Sequence, residues 1–401
     1  MRPATPSRSP LPGALFLTVF IDLMGFGIVI PLLPIYAEHL HATPFAAGLL
    51  IAVYSLMQLL FAPVWGRISD RVGRRPVLLT SLTGSAVSYL LLAGAWSLTV
   101  LFVARVLAGV AGANIPVAQA YIADVTSERD RARGMGMIGA AFGLGMVIGP
   151  ALGGALSLVG PRVPELFAAA LCLTNVVLAA IRLPESLPPE HRRPARGHPL
   201  APAALREAFA PAGAATLFAV FFLVTLGFAV LEGTFSLTAS HRFGYSGAQV
   251  DVLWLYMGAV AVVVQGWLVG KLTRRLAERT LVICGGGALA VGLLLVPATA
   301  GAPGLLVAVG LVVAGQGLAG PSLASLISRT TGTGSHGHAL GVSQSLSAGA
   351  RVLGPAGGGL IFDRLGAGAP YLAAGMCAVG ALGFALTTPN RPRQREAARH
   401  Q

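Results

Sequence analysis

Charged residues are scarce in this sequence, and their scarcity excludes an ordinary water-facing surface. Asp, Glu, Lys and Arg together make up 11% of the 401 residues, whereas soluble domains carry about 25%. Hydrophobic residues make up 55% of the chain, and the mean hydropathy is +0.74. The 52 glycines are small residues of the kind that membrane helices place at their closest contacts. Composition therefore predicts an all-α integral membrane protein.

Cysteine and the common catalytic signatures are also rare or missing. The three cysteines lie within apolar stretches, so no disulfide framework is predicted. No G-x-x-x-x-G-K-[ST] loop is present, which argues against direct use of ATP. The histidine pairs at 39–41 and 336–338 lack neighbouring carboxylate or cysteine ligands. No nucleophile–base pattern occurs either, so we expect neither an enzyme nor a bound metal or cofactor.

Acidic residues are fewer than basic ones, 15 against 28, and the basic excess is unevenly placed. Of the 28 Lys and Arg residues, 23 lie in the termini and in alternate segments between the apolar runs. Such a bias marks the cytoplasmic side of a plasma or bacterial inner membrane. Topology therefore explains the net charge of +13 without nucleic-acid binding, and both termini are predicted to be cytoplasmic.

Twelve apolar stretches are long enough to cross a bilayer core of about 30 Å, which requires roughly 20 residues per helix. The predicted spans are 13–37, 44–65, 77–95, 97–124, 134–159, 164–183, 211–237, 247–269, 280–300, 302–327, 339–363 and 368–388. The sequence thus predicts twelve transmembrane helices in two six-helix repeats, 1–183 and 211–388. A cytoplasmic linker over 184–210 and a cytoplasmic tail over 389–401 complete the chain. The first span is too long for the apolar part of a signal peptide and is predicted to be retained.

Two motifs recur at nearly the same offset in the two halves. The basic stretch Gly66–Pro76 returns about 204 residues later as Gly270–Arg279. The stretch Gly149–Gly154 is echoed by Gly354–Gly359, about 205 residues later. We infer that the halves are copies in the same orientation, which is typical of a secondary transporter.

Four stretches carry a resemblance to a known family: Asp22–Pro34, Gly66–Arg75, Leu101–Gly112 and Gly145–Gly154. On these motifs the chain resembles the major facilitator superfamily, in particular its twelve-helix drug–proton antiporters near the tetracycline–proton antiporters. The resemblance covers essentially the whole chain, and its last stretch matches the pattern associated with antiporters. It implies two halves that rock about a central cavity and export a substrate.

The first basic loop is a candidate conformational switch. Asp70 is expected to follow a helix that ends at Gly66, where a missing side chain lets another backbone approach. Asp70 and Arg74 can pair if the turn between them is helical. The resemblance adds an acid, Asp124, and implies a cluster that holds the halves together in the outward-facing state. The predicted switch residues are Gly66, Asp70, Arg71, Gly73, Arg74, Arg75 and Asp124. A loop that only fixes topology is the alternative.

Three charged residues within apolar spans are candidates for proton coupling: Asp22, Arg105 and Glu232. Burial in a medium of low dielectric constant favours a neutral carboxyl, so either acid can take up a proton on one side and release it on the other. The resemblance implies that Arg105 biases a nearby carboxylate towards release. Alternatively, Asp22 is a hydrogen-bonding partner of a neighbouring helix, and Glu232 contacts a cationic substrate or reaches water at the interface. Arg351 is predicted to brace a helix end.

The glycines of the fifth span are predicted to form a tight helix seam. Gly145, Gly149, Gly153 and Gly154 have the small-xxx-small spacing that permits close helix contact. Pro150 removes a backbone donor and is expected to loosen the helix. The seam is predicted to seal the cytoplasmic route while helices slide.

The sequence as a whole predicts a proton-coupled exporter of hydrophobic small molecules, cationic ones among them. Gln119, Phe228 and Gln316 are predicted to line the substrate cavity, Gln119 because helical spacing places it on the face of Arg105. Alternatives are a proton-coupled transporter of one metabolite, such as a sugar or an organic acid, and a non-transporting receptor or scaffold on the same fold. The expected partners are the substrate, protons and the lipid bilayer, and the chain is expected to be a monomer.

Overall fold

A computed structural model of the protein describes residues 12–126, 128–192, 213–330 and 332–387, which form helices and turns but no strand. The helices of the first half are α1 Pro12–Val29, α2 Leu33–His39, α3 Pro44–Val72, α4 Arg74–Ala93, α5 Leu98–Ala111, α6 Ile115–Val125, α7 Glu128–Ser157 and α8 Val163–Arg182. Those of the second half are α9 Ala214–Phe243, α10 Gly247–Val263, α11 Val269–Leu272, α12 Glu278–Leu295, α13 Ala302–Thr330, α14 Gly332–Leu365 and α15 Ala369–Thr387. Single 3-10 turns lie at Pro189–His191 and Val296–Ala298, and a π-helical segment joins α10 to α11 at Val264–Leu268.

These helices form twelve units when α1 is counted with α2, α5 with α6, and α10 with α11. Among the described residues, nine units are long and apolar enough to cross a membrane, and α1 with α2 makes a tenth. The predicted all-α membrane fold is therefore confirmed. The remaining two units, α7 and α14, are helices that fall outside those ten. The predicted tail and the linker from residue 193 onward lie outside the described residues.

Two spans that were predicted to be continuous are interrupted. The first bends by 40° between α1 and α2, where Pro31 and Pro34 prevent regular helical hydrogen bonding. The fourth stops at Ala111 and resumes at Ile115. Pro116 occupies the first turn of the new helix, a position that suits its fixed φ and missing donor.

The second span is longer than predicted. Helix α3 continues to Val72 with Pro63 inside it, so the prediction that Asp70 follows a helix ending at Gly66 is wrong. Gly73 ends the helix with φ of 109°, a conformation that favours glycine. Helix α4 begins at the next residue. The first basic loop is therefore a one-residue hinge between two helices.

Each half has its own apolar core, and several helix pairs join the halves. Within the halves, α1 packs on α7, α4 on α8, and α12 on α13. Between the halves, α3 packs on α14 and α7 on α10, and α9 makes smaller contacts with α2 and α3. We call the end of the bundle where α3 meets α4 the loop end, and the opposite end, where α2 meets α3, the far end. At the far end, Leu237 and Phe362 of the second half join a core cluster of the first half.

Candidate functional site

The hinge between α3 and α4 is held by one buried guanidinium. Arg74 is buried, with 7% of its surface exposed. Its Nη1 donates to Asp70 Oδ1 at 2.6 Å and to Ser69 Oγ at 2.6 Å, and its Nε donates to Asp124 Oδ2 at 3.2 Å. The pairing that the Asp70–Arg74 spacing allows is present, and Asp124 meets the same guanidinium. Because the two carboxylates keep 35% and 22% of their side-chain surface exposed, removing one of them costs less than the about 3–5 kcal/mol of a fully buried pair.

Of the other predicted switch residues, Arg71, Arg75 and Gly66 lie outside this ion-pair cluster. Arg71 is exposed, and Arg75 Nη2 donates to the carbonyl of Ala180 at 2.6 Å. No atom lies within 4 Å of the place where a side-chain carbon on Gly66 would stand. The close backbone approach that was predicted at Gly66 is therefore not found in this conformation.

Glu185, at the start of the linker, also binds the hinge, and the sequence analysis did not identify it. Glu185 accepts hydrogen bonds from the backbone N–H groups of Arg74 at 2.8 Å and Arg75 at 3.2 Å. These donors begin α4 and have no partner within the helix, so the carboxylate acts as a cap that also suits the helix dipole. A side chain on Gly73 would overlap the Glu185 carboxylate. The signal that could have identified it was an acidic residue just after the predicted cytoplasmic end of the sixth span.

The second copy of the basic loop is built differently. Helix α11 ends at Leu272, and residues 273–277 are turns before α12. Arg274 stands where the first copy has Asp70, and it is exposed, as is Arg275. In the described parts of the chain, neither arginine has an ion-pair partner. The loop motif is thus repeated in sequence, but its ion-pair cluster is not.

Asp22 lies in a buried polar network of the first half. It is 9% exposed on α1, and Asn114 Nδ2 donates to its Oδ2 at 3.1 Å. The same amide nitrogen donates to Ser81 Oγ at 2.8 Å, and Ser85 is a further hydrogen-bonding partner of the carboxyl. Asp22 is therefore connected through Asn114 to the interruption in the fourth span.

Polar side chains of neighbouring helices donate hydrogen bonds to the backbone carbonyls at the interruption of the fourth span. Trp65 Nε1 donates to the carbonyl of Val110 at 2.6 Å, Ser81 Oγ to that of Ala111 at 2.5 Å, and Gln58 Nε2 to that of Gly112 at 2.9 Å. Broken helices are tolerated in membranes only where such partners replace the lost backbone bonds. The break is therefore a supported feature that places Asn114 beside Asp22.

Arg105 is completely buried on α5 and forms no direct hydrogen bond with Asp22 in the described structure. Its guanidinium lies 4.5 Å from the ring centroid of Tyr54, and its Nε donates to the carbonyl of Leu50 at 3.1 Å. Both terminal nitrogens lack a hydrogen-bond partner among the described residues. A side-chain carbon on Gly109 would stand 2.7 Å from Met57 Cβ, so this glycine allows α3 to bring Tyr54 against the arginine.

Glu232 occupies the second half. It is 9% exposed on α9 and interacts electrostatically with Arg351 on α14. Arg351 lies within α14, and its predicted role as a brace for a helix end stays a prediction. Arg351 and Arg105 both act electrostatically on Tyr54 of α3. Tyr54 is therefore within electrostatic range of a charged residue from each half.

The glycine seam of α7 lies mainly within the first half. Side-chain carbons at Gly145 and Gly149 would stand 2.8 Å from Leu23 Cβ and 2.7 Å from Gly27 Cα on α1. Gly153 likewise faces α1, and Gly154 alone of the four seam glycines faces α10 of the other half, at the far end. The close helix contact that the glycine spacing predicts is present, and the role of the seam in sealing the cytoplasmic route stays a prediction. Helix α7 continues through Pro150, so this residue does not break the helix.

The second half repeats this arrangement. Gly354 and Gly358 face α9, as Gly149 and Gly153 face α1, and Gly359 faces Pro44 at the start of α3. Each antiporter-type motif therefore packs its helix on the first helix of its own half and uses its last glycine for the other half.

Polar pairs tie the halves together at the far end. The backbone N–H of Phe45 donates to Asp363 Oδ2 at 3.1 Å, and Ser236 Oγ donates to the carbonyl of Pro31 at 2.8 Å. Two further pairs are His241 with Glu38, and Ser157 with Asp251. All four pairs link the first half to the second, so the far end is closed.

The three residues predicted to line a substrate cavity do not form one cluster of contacts. Phe228 packs on the apolar core of the second half. Gln316 is half-buried on α13, and its Oε1 lacks a partner among the described residues. Gln119 lies on α6, beyond the break after Ala111, so the argument that it shares a helical face with Arg105 is wrong.

Comparison with known proteins gives a consistent set of relatives. The model of the Major Facilitator Superfamily matches residues 15–355. The class C tetracycline resistance protein of Escherichia coli is 36% identical over 343 residues, which cover 84% of this chain and 86% of that protein. Multidrug resistance protein 2 of Bacillus subtilis (strain 168) is 29% identical over 376 residues, 92% of each chain.

A solved structure of similar fold comes from a human protein. The crystal structure of the human organic anion transporter MFSD10 (TETRAN) has a TM-score of 0.70 with this chain at 27% identity. The match covers 95% of this chain and 100% of that one. The likeness therefore extends over both halves.

Proposed function

Because the chain belongs to the major facilitator superfamily, we propose that it exports hydrophobic drug-like molecules, cationic ones among them, in exchange for protons. The family membership makes it a multi-pass membrane transporter that binds small molecules, not an enzyme. The named resistance functions of its relatives support export. The observation that carries proton coupling is the buried carboxyl of Asp22, which hydrogen-bonds to the broken fourth span through Asn114.

The orientation follows from charge. Among the described residues, basic side chains concentrate at the loop end, which we therefore place in the cytoplasm of a cell with both chain termini. Contacts close the far end, and the first basic loop binds its own half, which supports an inward-facing state. We propose that a single chain works as a monomer in the inner membrane. Reporter fusions at His41, Arg192 and the C-terminus should be outside, inside and inside, and an external C-terminus would contradict this topology.

The coupling step that the geometry supports is a change in one hydrogen bond. Deprotonated Asp22 accepts from Asn114 with the strength of a charge-assisted bond. A proton on the carboxyl removes its charge and weakens this bond, which loosens α1 from the break between α5 and α6. In this exchange the carboxyl takes up its proton from outside once the substrate has left, and it releases the proton to the cytoplasm before the next substrate is exported, which restores its charge.

The experiment that tests the function is transport by the purified chain in proteoliposomes. An imposed pH gradient should drive a tetracycline or a lipophilic cation against its concentration gradient, with proton movement in the opposite direction. Transport of these compounds that is indifferent to the pH gradient would contradict proton exchange.

A second candidate is exchange of an organic anion, the metabolite-type alternative. Arg105 is a buried cation whose terminal nitrogens lack partners among the described residues, and the human relative is described as an organic anion transporter. Uphill transport of a monocarboxylate, but not of a lipophilic cation, in the same proteoliposomes would favour this candidate.

A further inference from the structure

An open groove lies beside the second basic loop, outside the sites described above. It has a volume of about 470 Å³ and is lined by Gly266, Trp267, Gly270, Lys271, Arg274 and Arg275. Its volume is within the range of small-molecule sites, about 300–1,000 Å³. Three of its six lining residues are cationic, and none is acidic.

Local helix geometry creates this groove. The π-helical segment at Val264–Leu268 widens the helix just before α11. Gly266 and Gly270 are four residues apart, and no atom lies within 4 Å of where their side-chain carbons would stand. Trp267 and Lys271 have the same spacing, and Lys271 Nζ lies 4.7 Å from the ring centroid of Trp267. The glycines leave the floor of the groove empty, while the aromatic ring and the ammonium form one wall.

The cations of the groove are not neutralised by protein acids within the described residues. Arg274 and Arg275 are exposed and have no ion-pair partner there. The next acid along the chain, Glu278, accepts a hydrogen bond from Ser325 on α13 at 2.7 Å. In the first copy, by contrast, Asp70 and Asp124 neutralise the buried arginine. Within the described residues the groove is therefore a cationic surface that can accept an anion.

The groove also lies at the depth of lipid headgroups. The candidate span that contains α10 and α11 ends at Leu272, so Lys271 and the two arginines lie at its last turn and just beyond. Trp267 has 61% of its surface exposed, and exposed tryptophan is typical of the interface between acyl chains and headgroups. A ligand here can present a phosphate to the cations and acyl chains to the apolar flank.

We propose that this groove binds the headgroup of an anionic phospholipid from the leaflet at the loop end. The phosphate lies between Lys271, Arg274 and Arg275, and Trp267 contacts the glycerol and upper acyl chains. Basic residues near a membrane surface contribute about 1 kcal/mol each towards anionic lipid. The identification of this leaflet as cytoplasmic rests on the proposed topology, but the site itself does not depend on transport.

The test measures lipid retained by the full-length chain. The protein is reconstituted in nanodiscs that contain equal amounts of phosphatidylglycerol and phosphatidylcholine, transferred to detergent, and analysed by native mass spectrometry. Wild type should retain phosphatidylglycerol selectively. The variant Arg274→Gln/Arg275→Gln should lose this lipid by about 30-fold, which corresponds to about 1 kcal/mol for each arginine.

A matched variant controls for net charge. Arg67 and Arg182 are exposed at the loop end of the first half, so Arg67→Gln/Arg182→Gln removes the same charge elsewhere and should retain the lipid. Equal loss in both variants, or no loss in either, would overturn the proposal. Lys271→Gln provides an independent variant should the double arginine variant fold poorly, and it should also weaken retention.

Competition separates a lipid from a free anion. Excess inorganic phosphate or soluble glycerophosphoglycerol should displace little phosphatidylglycerol, because neither has acyl chains to place beside Trp267. Displacement by inorganic phosphate at equal concentration would show a general phosphate site and contradict the lipid assignment. Because the measurement needs no substrate, failure of proton-driven export would leave its outcome unchanged.

Discussion

The two copies of the basic loop share a sequence pattern and differ in almost every contact. In the first copy, α3 continues through Asp70, Gly73 forms the hinge, and Arg74 is buried between two acids. In the second copy, the helix ends at Leu272 and Arg274 is exposed. The charges at equivalent positions are even reversed, since Arg274 and Glu278 stand where the first copy has Asp70 and Arg74.

The difference indicates a division of labour between the halves. An acid at the Asp70 position allows the loop to fold onto its own half as a compact unit. In the second copy the residues between Arg274 and Glu278 are not helical and Glu278 accepts from Ser325. Arg274 is therefore exposed and has no ion-pair partner among the described residues. We infer that only the first copy can stabilise one conformation through ion pairs, and three variants, each with a matched control, test this contrast.

Removing the acid from the first copy should have the largest effect. Asp70→Asn keeps the side-chain volume but leaves the buried Arg74 with one acid fewer. Coupling between transporter states is typically about 1–3 kcal/mol, so we expect transport to fall by roughly tenfold or more. Initial rates in proteoliposomes, normalised to protein content, provide the measurement.

The exposed Arg67 offers the control for this variant. Arg67→Gln changes the charge of the same loop without touching the cluster and should transport normally. If Asp70→Asn transports as well as Arg67→Gln does, the loop only fixes topology and the contrast between the copies has no functional meaning.

Substitution of the hinge glycine should have the second-largest effect. Gly73 has φ of 109°, whereas its counterpart Ala277 has φ of −69°. Gly73→Ala should destabilise the protein by about 1–3 kcal/mol, because a side chain is strained there and meets Glu185. Ala277→Gly should cost less than about 1 kcal/mol. Thermal unfolding in detergent compares the two, and equal shifts would show that the hinge is not strained by a side chain.

The cap on α4 should have the smallest effect. Glu185→Gln keeps an acceptor but removes the charge that faces two backbone N–H groups, so we expect a loss of about 0.5–1 kcal/mol. Glu190→Gln, at an exposed position in the same segment, should change the melting temperature less. A larger shift of the melting temperature for Glu190→Gln than for Glu185→Gln would show that Glu185 does not stabilise the hinge.

Much of this fold could be predicted from the sequence, because a membrane span requires a long apolar run. The repeat, the all-α class and the Asp70–Arg74 pairing follow from length, offset and spacing. The interruption at Gly112–Asn114 was not predicted, since the apolar stretch continues through it. It exists because Trp65, Ser81 and Gln58 replace the lost backbone bonds, and these partners come from other helices.

The candidate site shows the same limit. Asp22 and Glu232 could be found as lone acids in apolar runs, but Asn114 and Tyr54 became relevant only through tertiary contacts. The spacing of the glycines of α7 predicted a close helix contact, but small-xxx-small spacing does not show which helix supplies it, and α1 supplies most of it. Spacing therefore predicted the type of contact and not the partner.

The most direct test of the account is proton coupling in Asp22→Asn. The carboxamide keeps the size of the side chain and cannot titrate, so uphill export driven by a pH gradient should be lost while downhill substrate exchange continues. Glu232→Gln serves as the comparison and should keep pH-driven export. Uphill export by Asp22→Asn with unchanged dependence on the pH gradient, or its loss in Glu232→Gln alone, would contradict the assignment and place the proton path in the second half.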